Sequence, residues 1–357
     1  MSSCIFMYIK EERPMNQMMK QHICIFGAGS IGCYVGGRIA AAGCPVTLIG
    51  RERLRLELMH SGLHLTDLLG ADLRVKPDAL CFATDADAAT DAELVLVTVK
   101  SADTTAAGRS LAKVLKPGTV VISFQNGMGN AGLLRDALQQ QTVLGGMVQF
   151  NVLNRGGGHF HQGSEGGLEV EQHPAIEPFS AAFARAGLPL KLHTDMLPVQ
   201  WAKLLLNLNN PINALSNLPL KAELSQRAFR KCIALAQAEA LRLMGSAGIR
   251  PAKLTPLPPN WIPGLLKVPT WLFSLLAKKM LAFDPLARSS MWEDLEAGRI
   301  TEVDWLNGEI VRLAEKMGHH APVNARLIAL IREAEAGGKR HWSGEDLLNE
   351  LKQAAQD

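Results

Sequence analysis

The chain lacks the features that mark several specialised classes of protein. Its six cysteines contain no C-x-x-C pair and lie mostly within apolar segments, so the sequence predicts a reduced, cytoplasmic protein. A formal net charge of +3 is too small to indicate a nucleic-acid partner. The apolar run from Val268 to Ala277 is too short to span a bilayer, so we expect no membrane partner.

The length of the chain bounds its domain organisation. At 357 residues it exceeds the size at which one hydrophobic core usually stops growing, so we expect two domains. Strand-like patterns end near residue 195, and all six tryptophans lie beyond residue 200. The sequence therefore predicts an α/β domain over residues 21–195 and an all-α domain over residues 196–357. Residues 1–20 have no continuous apolar core or cleavage site, and we interpret them as a frayed leader.

A glycine-rich turn joins the first predicted strand to the first predicted helix. A strand over residues 23–26 is followed by the G-x-G-x-x-G pattern of Gly27, Ala28, Gly29, Ser30, Ile31 and Gly32. Between a strand and a helix, this pattern favours dinucleotide binding, because its glycines allow a tight turn, close approach to a pyrophosphate and contact between helix and strand. The alternative is a glycine-rich turn with a purely structural role.

The end of the second predicted strand bears on the choice of cofactor. An acidic residue there pairs with the ribose 2′-hydroxyl of NAD, whereas an arginine suits the 2′-phosphate of NADP. This chain has Arg51 at that point, which favours NADP(H). Glu52 follows directly, and a solvated surface arginine is the alternative interpretation.

Two further predicted strands end in polar residues, at the edge where open α/β sheets bind ligands. The strand over residues 92–99 is followed by Lys100, which we interpret as a cofactor contact. The strand over residues 119–124 runs into a polar turn that contains Asn126. Because Asn-Gly is also a common tight-turn dipeptide, Asn126 alone would prove little.

The segment Thr142 to Glu171 alternates in hydrophobicity and contains two glycine clusters, which predicts an antiparallel hairpin that closes the sheet edge. His159 and His161 then share one strand face. No acid or cysteine of this pattern completes a ligand set, so we expect no metal site.

A leucine-rich helix beyond residue 195 carries a narrow polar stripe. Lys203, Asn207 and Asn210 stand at i, i+4 and i+7, so they share one face of the predicted helix. Pro211 leaves the carbonyl group of Asn207 without its helical partner, which predicts a bend. The alternative is an edge lysine whose stem lies across apolar surface while its ammonium reaches water.

The remainder of the chain predicts helices interrupted by a proline-rich insertion. The predicted helices cover residues 197–215, 222–248, 287–317, 323–336 and 343–356, and the insertion covers residues 251–285. The insertion suits a lid or an oligomer contact, which leaves a homodimer open. Glu302 directly follows Thr301 and opens a helix. The alternative is that the negative charge of Glu302 only stabilises the positive N-terminus of that helix.

Taken together, these residues resemble the ketopantoate reductases (2-dehydropantoate 2-reductases) from Ile23 to about Leu330. The matching motifs are Gly27 to Gly32, Val99-Lys100, Gln125 to Gly129, Lys203 with Asn207, Ser289-Ser290-Met291 with Glu302, and Gly318 with Pro322 and Asn324. The resemblance implies an NADPH-binding Rossmann domain followed by an all-helical domain. A small 2-keto acid substrate would lie in the cleft between them.

The resemblance also implies roles for single residues. Lys203 would be the general acid, and Glu302 would bind a substrate hydroxyl and support catalysis. Such a lysine can stabilise the oxygen on which charge develops when hydride reaches a ketone. Burial would lower its pKa and a nearby Glu302 would raise it, which leaves the net direction open. The remaining assignments are for ligands. Those for substrate are Asn126, Asn207, Asn210 and Ser290, and those for NADPH are Gly27, Ala28, Gly29, Ser30, Ile31, Gly32, Arg51, Lys100 and Asn126.

Two departures from the family pattern affect the expected reaction. Asn210 lies one residue closer to Lys203 than its counterpart does in the family, and the insertion 251–285 is longer than usual. The leading hypothesis is NADPH-dependent reduction of ketopantoate to pantoate, a step of pantothenate and coenzyme A biosynthesis. The alternatives are reduction of a different 2-keto acid on the same frame, a related β-hydroxyacid or sugar-acid dehydrogenase, and a non-catalytic NADP-binding sensor.

Overall fold

The computed structural model describes residues 21–277, 284 and 286–356. The predicted leader, residues 1–20, lies outside the described residues. Strands and helices alternate through the first part of the chain, and the elements after residue 195 in the described ranges are helices. This layout confirms the predicted fold class, a Rossmann-type α/β part followed by an all-α part.

Twelve strands form two sheets in the α/β part. They are β1 (Ile23–Phe26), β2 (Val46–Ile49), β3 (Leu63–Asp67), β4 (Asp72–Val75), β5 (Cys81–Ala83), β6 (Leu94–Val97), β7 (Val120–Ser123), β8 (Thr142–Val148), β9 (Val152–Asn154), β10 (His159–Gln162), β11 (Leu168–Glu171) and β12 (Leu190–His193). The main sheet has the order β12-β11-β8-β7-β6-β1-β2-β5. Its strands run parallel from β5 through β8, while β11 pairs antiparallel with β8.

The smaller sheet has the order β4-β3-β10-β9. Its β9 and β10 form an antiparallel pair, as the hairpin prediction required, but this pair joins β3 rather than the edge of the main sheet. The predicted hairpin is therefore partly wrong, because β8 and β11 of the same segment stay in the main sheet and pair with each other. His159 and His161 do lie on one strand face, where both rings hydrogen-bond Thr66 Oγ1.

Successive residues of each strand point to opposite faces of the main sheet, and both faces are buried. Leu94 and Leu96 of β6 pack into the hydrophobic cluster beneath one set of helices, and Val95 and Val97 pack into the cluster on the opposite face. Strands buried on both faces read as continuous apolar runs, which is why the sequence shows them clearly. The strands therefore end together at one edge, where their polar C-terminal turns meet.

Fifteen helices occur in the described residues. They are α1 (Ser30–Ala41), α2 (Glu52–Ser61), α3 (Thr104–Ala112), α4 (Asn130–Ala137), α5 (Glu177–Arg185), α6 (Leu197–Asn207), α7 (Asn210–Ser216), α8 (Leu220–Ser225), α9 (Arg227–Ser246), α10 (Ile262–Lys267), α11 (Thr270–Leu276), α12 (Ser290–Glu296), α13 (Val303–Lys316), α14 (Pro322–Glu335) and α15 (Gly344–Ala354). Short 3-10 turns occur at Pro77–Ala79, Ala86–Ala89, Ser101–Asp103, Pro174–Ile176 and Pro259–Trp261.

Three predicted helices are each divided in the structure. The first divides into α6 and α7, with Pro211 in the first turn of α7. The second divides at Gln226, whose backbone is extended. The third divides into α12, which ends at Glu296, and α13. Gly298 follows α12 with a φ of 61°, a left-handed conformation that favours glycine and ends the helix. Because helical periodicity continues across such breaks, the sequence pattern predicted one helix where the structure has two.

The helical part has its own hydrophobic core. Its largest contribution comes from α9, whose buried residues meet those of α7, α13, α14 and α15. Ser343 caps α15 by accepting from the backbone N–H of Asp346 at 3.2 Å. None of the helices in the described ranges is long and apolar enough to cross a membrane.

Candidate functional site

The glycine pattern forms the turn between β1 and α1. Gly27 has a φ of +113°, and a Cβ there would lie 2.6 Å from the backbone nitrogen of Val99. A Cβ on Gly32 would lie 2.5 Å from the carbonyl oxygen of Gly27, so the third glycine lets helix and strand touch. A Cβ on Gly29 would have no atom within 4 Å, which leaves open space above the helix N-terminus. The turn therefore fits the pyrophosphate of a dinucleotide.

Arg51 lies directly before α2, at the mouth of this turn, and is exposed. The neighbouring carboxylate of Glu52 accepts hydrogen bonds from Arg55 Nη2 at 2.6 Å and Nε at 2.7 Å. That exposed pair lowers the pKa of Glu52, first through the hydrogen bond from Arg55. Glu52 is thus paired along its own helix, which leaves the arginine as the group at this position that suits a 2′-phosphate.

Asn126 lies in the polar turn after β7, and a set of buried hydrogen bonds fixes this turn. Ser101 Oγ donates to the carbonyl oxygen of Asn126 at 2.8 Å, and Asn130 Nδ2 donates to the same oxygen at 2.7 Å. Gln125 Nε2 donates to Thr104 Oγ1 at 2.7 Å. Because every one of these partners is itself buried, the Asn126 side chain projects from a rigid backbone.

Glu302 reaches this turn from the helical part. It stands at the N-cap position of α13, but its side chain caps nothing there. Instead, Oε1 accepts from the backbone N–H of Ser101 at 3.0 Å and Oε2 accepts from Asn126 Nδ2 at 3.3 Å. The approach is close, because a Cβ on Gly127 would lie 2.6 Å from the carbonyl oxygen of Trp305. Glu302 therefore crosses the cleft between the two parts.

Lys203 lies on α6 and is partly buried. Its Nζ donates to the carbonyl oxygen of Gln149 at 2.9 Å. Burial lowers the pKa of Lys203 to about 8, and no carboxylate contributes to the shift. The direction that the sequence left open is thus downward. One turn further along α6, Asn207 Nδ2 lies 3.5 Å from Asn126 Oδ1, which links the lysine helix to Asn126 and Glu302.

Lys100 follows β6 at the sheet edge, as predicted from the sequence. Its Nζ forms an ion pair with Asp294 Oδ1 of α12 at 2.6 Å and also donates to the carbonyl oxygen of Ile300 at 3.4 Å. Arg299 pairs with the same carboxylate oxygen at 3.0 Å. Lys100 therefore bridges the α/β and helical parts beside the cleft.

Asn210 and Ser290 begin α7 and α12, which lie against each other. The exposed Ser290 is the first residue of α12, while the buried Ser289 caps that helix by accepting from the backbone N–H of Trp292 at 3.1 Å. Ser289 Oγ also donates to the carbonyl oxygen of Asn210 at 3.2 Å. The structure thus brings the two helix N-termini together, and it joins them through Ser289.

Comparisons with known proteins agree with this geometry. The family model described as ketopantoate reductase PanE/ApbA matches residues 23–175, and the model of its C-terminal part matches residues 195–335. The 2-dehydropantoate 2-reductase of Archaeoglobus fulgidus is 30% identical over 327 residues, covering 90% of this chain and 100% of the relative. That of Halobacterium salinarum is 28% identical over 334 residues, covering 88% and 99%. The chain belongs to the ketopantoate reductase family.

Solved structures of relatives share the architecture. A ketopantoate reductase family structure from Ralstonia eutropha has a TM-score of 0.75 at 30% identity and covers 89% of this chain and 99% of its own. A ternary structure of D-mandelate dehydrogenase with NADH has a TM-score of 0.74 at 18% identity, which shows a shared fold. Members of the ketopantoate reductase family are oxidoreductases that act on CH-OH groups, and so is this protein.

Several residues of the site escaped the sequence analysis. Ser101, Asn130 and Gln149 contact the predicted residues through a backbone group or a short polar side chain, and Asp294 pairs with Lys100. Only Asn130 carried a usable signal, since it closes the polar turn that contains Asn126. Within the ranges that the structure describes, no cluster of three or more His, Cys, Asp or Glu side chains could hold a metal ion.

Proposed function

We propose that this protein reduces 2-dehydropantoate to pantoate with NADPH, and that Lys203 is the general acid. One observation carries the proposal: a lysine with a pKa lowered to about 8 by burial stands one helical turn from Asn207, which is joined to Asn126 and Glu302. A general acid works best when its pKa lies near the working pH.

The roles of the site residues follow from their chemistry. A reduced nicotinamide cofactor held at the glycine turn supplies the hydride. Lys203 stabilises the charge that develops on the 2-keto oxygen and donates a proton to it. Asn126 and Asn207 offer amide groups that orient the substrate, and Glu302 accepts a hydrogen bond from its hydroxyl group. Asn210 and Ser290 would contact the far end of the substrate from their helix N-termini.

The cofactor preference rests on the geometry around Arg51. Gly29 leaves room for the pyrophosphate on the N-terminus of α1, in the turn that also contains Gly27, Ala28, Ser30, Ile31 and Gly32. Arg51 would bind the 2′-phosphate, because Glu52 is paired with Arg55. Lys100 would contact the cofactor from the end of β6.

A panel of 2-keto acids assayed with NADPH and with NADH tests substrate and cofactor together. We expect the highest kcat/KM with 2-dehydropantoate and NADPH. Lys203→Ala should lose about 100-fold or more in kcat while it still binds NADPH. Lys316→Ala, at the exposed end of α13, is the matched control and should retain activity. Unchanged kcat in Lys203→Ala would contradict the assigned role.

A different 2-keto acid is the second candidate, and the insertion favours it. Ala252 and Leu254 of the insertion pack against Met196 and Val199 around α6, and the backbone N–H of Ala252 donates to the carbonyl oxygen of Pro198 at 2.8 Å. The insertion thus rests on the helix that carries Lys203. Suppose that another 2-keto acid exceeds 2-dehydropantoate in kcat/KM while Lys203→Ala remains inactive. The proposed role of Lys203 would then hold, and the substrate would be that other 2-keto acid.

A further inference from the structure

Glu223 of α8 is a fully buried carboxyl group behind the cleft. Its side chain and that of Asn213 on α7 are 0% exposed. No cation among the described residues forms an ion pair with it. On the facing helix α9, Cys232 is buried nearby, and Arg230 donates instead to the carbonyl oxygens of Leu224, Leu266 and Val268. Arg288, on the segment leading to α12, donates to Asn217. The charge of an ionised Glu223 would therefore be uncompensated.

The contacts of Asn213 connect this carboxyl group to the candidate substrate site. Asn213 Nδ2 donates both to Glu223 Oε2 and to the carbonyl oxygen of Leu218. Those two acceptors fix the orientation of the amide, so Oδ1 faces the backbone N–H of Ser289 and accepts from it at 2.8 Å. Ser289 in turn holds the carbonyl group of Asn210 and the first turn of α12. Reorienting Asn213 would leave a buried N–H of Ser289 unpaired.

Two buried oxygens next to this network have no hydrogen-bond partner among the described residues. They are Glu223 Oε1 and Asn209 Oδ1. An ionised Glu223 would therefore keep one of its charged oxygens buried without a donor or a cation beside it. A neutral carboxylic acid supplies one O–H donor and keeps one carbonyl acceptor. The neutral form would therefore carry no buried charge and would still accept from Asn213.

We propose that Glu223 is a positioning residue that acts as a neutral carboxylic acid, locking Asn213 so that Asn210 and Ser290 face the substrate together. The inference rests on the proposed function of that site. Its electrostatics agree: burial raises the pKa of Glu223 to about 8, although hydrogen bonds from Asn213 and Asn209 act in the opposite direction. Above about pH 8, the buried charge would loosen the contact between α7 and α12.

Hydrogen exchange tests the positioning role without requiring turnover. The protection of the Ser289 amide is measured at about pH 7 in the full-length protein. Glu223→Ala should lower its protection factor by about 10-fold, because the lost acceptor frees the Asn213 amide to rotate. Glu223→Gln retains one donor and one acceptor and should keep protection within about 2-fold of wild type. Asp67→Asn removes a carboxylate that pairs with Arg38 in the α/β part and serves as the matched control.

Steady-state kinetics test the protonation state. The KM of the wild type for its 2-keto acid should rise by about 10-fold between about pH 7 and about pH 9, on the scale of one lost buried hydrogen bond. In Glu223→Gln, KM should stay low across that range, whereas the kcat decline due to Lys203 should persist. KM for NADPH should be unchanged in both proteins, since Glu223 lies away from the glycine turn.

The possible results separate this inference from the proposed function. If no 2-keto acid is reduced, the proposed function fails, and the hydrogen-exchange comparison still decides the role of Glu223. Glu223→Gln protection as low as that of Glu223→Ala would overturn the neutral-acid role. A KM rise above pH 8 that survives in Glu223→Gln would also overturn it. Should Glu223→Ala fail to fold, Glu223→Gln alone still decides, because it must reproduce the wild type at pH 7 and lose its pH dependence.

Discussion

Lys203 shows how much the surroundings of one residue determine. Its Nζ reaches a backbone carbonyl group rather than a carboxylate, so only desolvation acts on its pKa and lowers it to about 8. The sequence could place this lysine on a polar stripe but could not decide between burial and a compensating acid. The candidate acid was Glu302, but its two oxygens accept hydrogen bonds from Ser101 and Asn126. That division of partners depends on tertiary contacts.

The first prediction concerns the pH dependence of catalysis. A general acid must be protonated, and Lys203 is protonated below about pH 8. We therefore expect kcat to be level below that pH and to fall towards about 10-fold per pH unit above it. The measurement is kcat for NADPH oxidation at saturating 2-keto acid across this range. A kcat that stays level up to about pH 10 would rule out Lys203 as the proton donor.

The second prediction concerns Arg51. Arg51→Ala should raise KM for NADPH by about 10-fold or more and change KM for NADH by less than about 3-fold, because only NADPH carries the 2′-phosphate. Arg53→Ala is the matched control, since Arg53 is also an exposed arginine and lies two residues after Arg51, in the first turn of α2. Equal effects on both cofactors would show that Arg51 has no role in discrimination.

At the scale of elements, the sequence predicted the strands that are buried on both faces and the helices whose apolar residues repeat at helical pitch. It missed β3 and β4, whose alternation is short and half exposed, and so it missed the second sheet. It also merged α12 with α13, although Gly298 stands where a helix C-terminus favours glycine. The chain changes direction at this break, and Glu302 can therefore reach Ser101. The position of Glu302 could be predicted, whereas its partners depend on how α13 docks.

The third prediction concerns the turn that docks against α13. Gly127 and Gly129 have nearly equal φ values of +81° and +79°, but only Gly127 lies against another element, the carbonyl group of Trp305. Gly129→Ala should lower the free energy of unfolding by about 1 kcal/mol through its backbone strain alone. Gly127→Ala should lower it by about 2 kcal/mol or more, because the added Cβ also clashes. It should also raise KM for the 2-keto acid by displacing Asn126.

Urea unfolding and steady-state kinetics of the two glycine variants check this prediction. The pair separates the strain of a left-handed backbone from the closeness of the two parts of the molecule. Equal losses in both variants would mean that the contact between the Gly127 turn and α13 does not hold the cleft. A loss of stability in Gly127→Ala without any change in KM would place the contact outside the substrate site.

For the whole molecule, the relative placement of the α/β and helical parts is what the sequence could least predict. Composition and strand patterns predicted a change from one part to the other near residue 195, and motifs predicted candidate residues on each side. The contacts across the cleft join positions about 200 residues apart, such as Lys100 with Asp294 and Ser101 with Glu302. No local pattern encodes such pairs, because they form only when two finished surfaces meet.

The fourth prediction concerns the Lys100–Asp294 ion pair, which joins the α/β part to the helical part. Lys100 is 39% exposed and Asp294 only 7%, so solvent screens one partner and the pair should contribute about 1 kcal/mol. A double-mutant cycle of Lys100→Met and Asp294→Asn, measured by urea unfolding, should show that coupling. The more exposed pair of Lys116 and Asp91, which lies within the α/β part, is the control and should show coupling near zero. Strictly additive effects of Lys100→Met and Asp294→Asn would mean that the two parts are held by the Gly127 and Glu302 contacts without help from this ion pair.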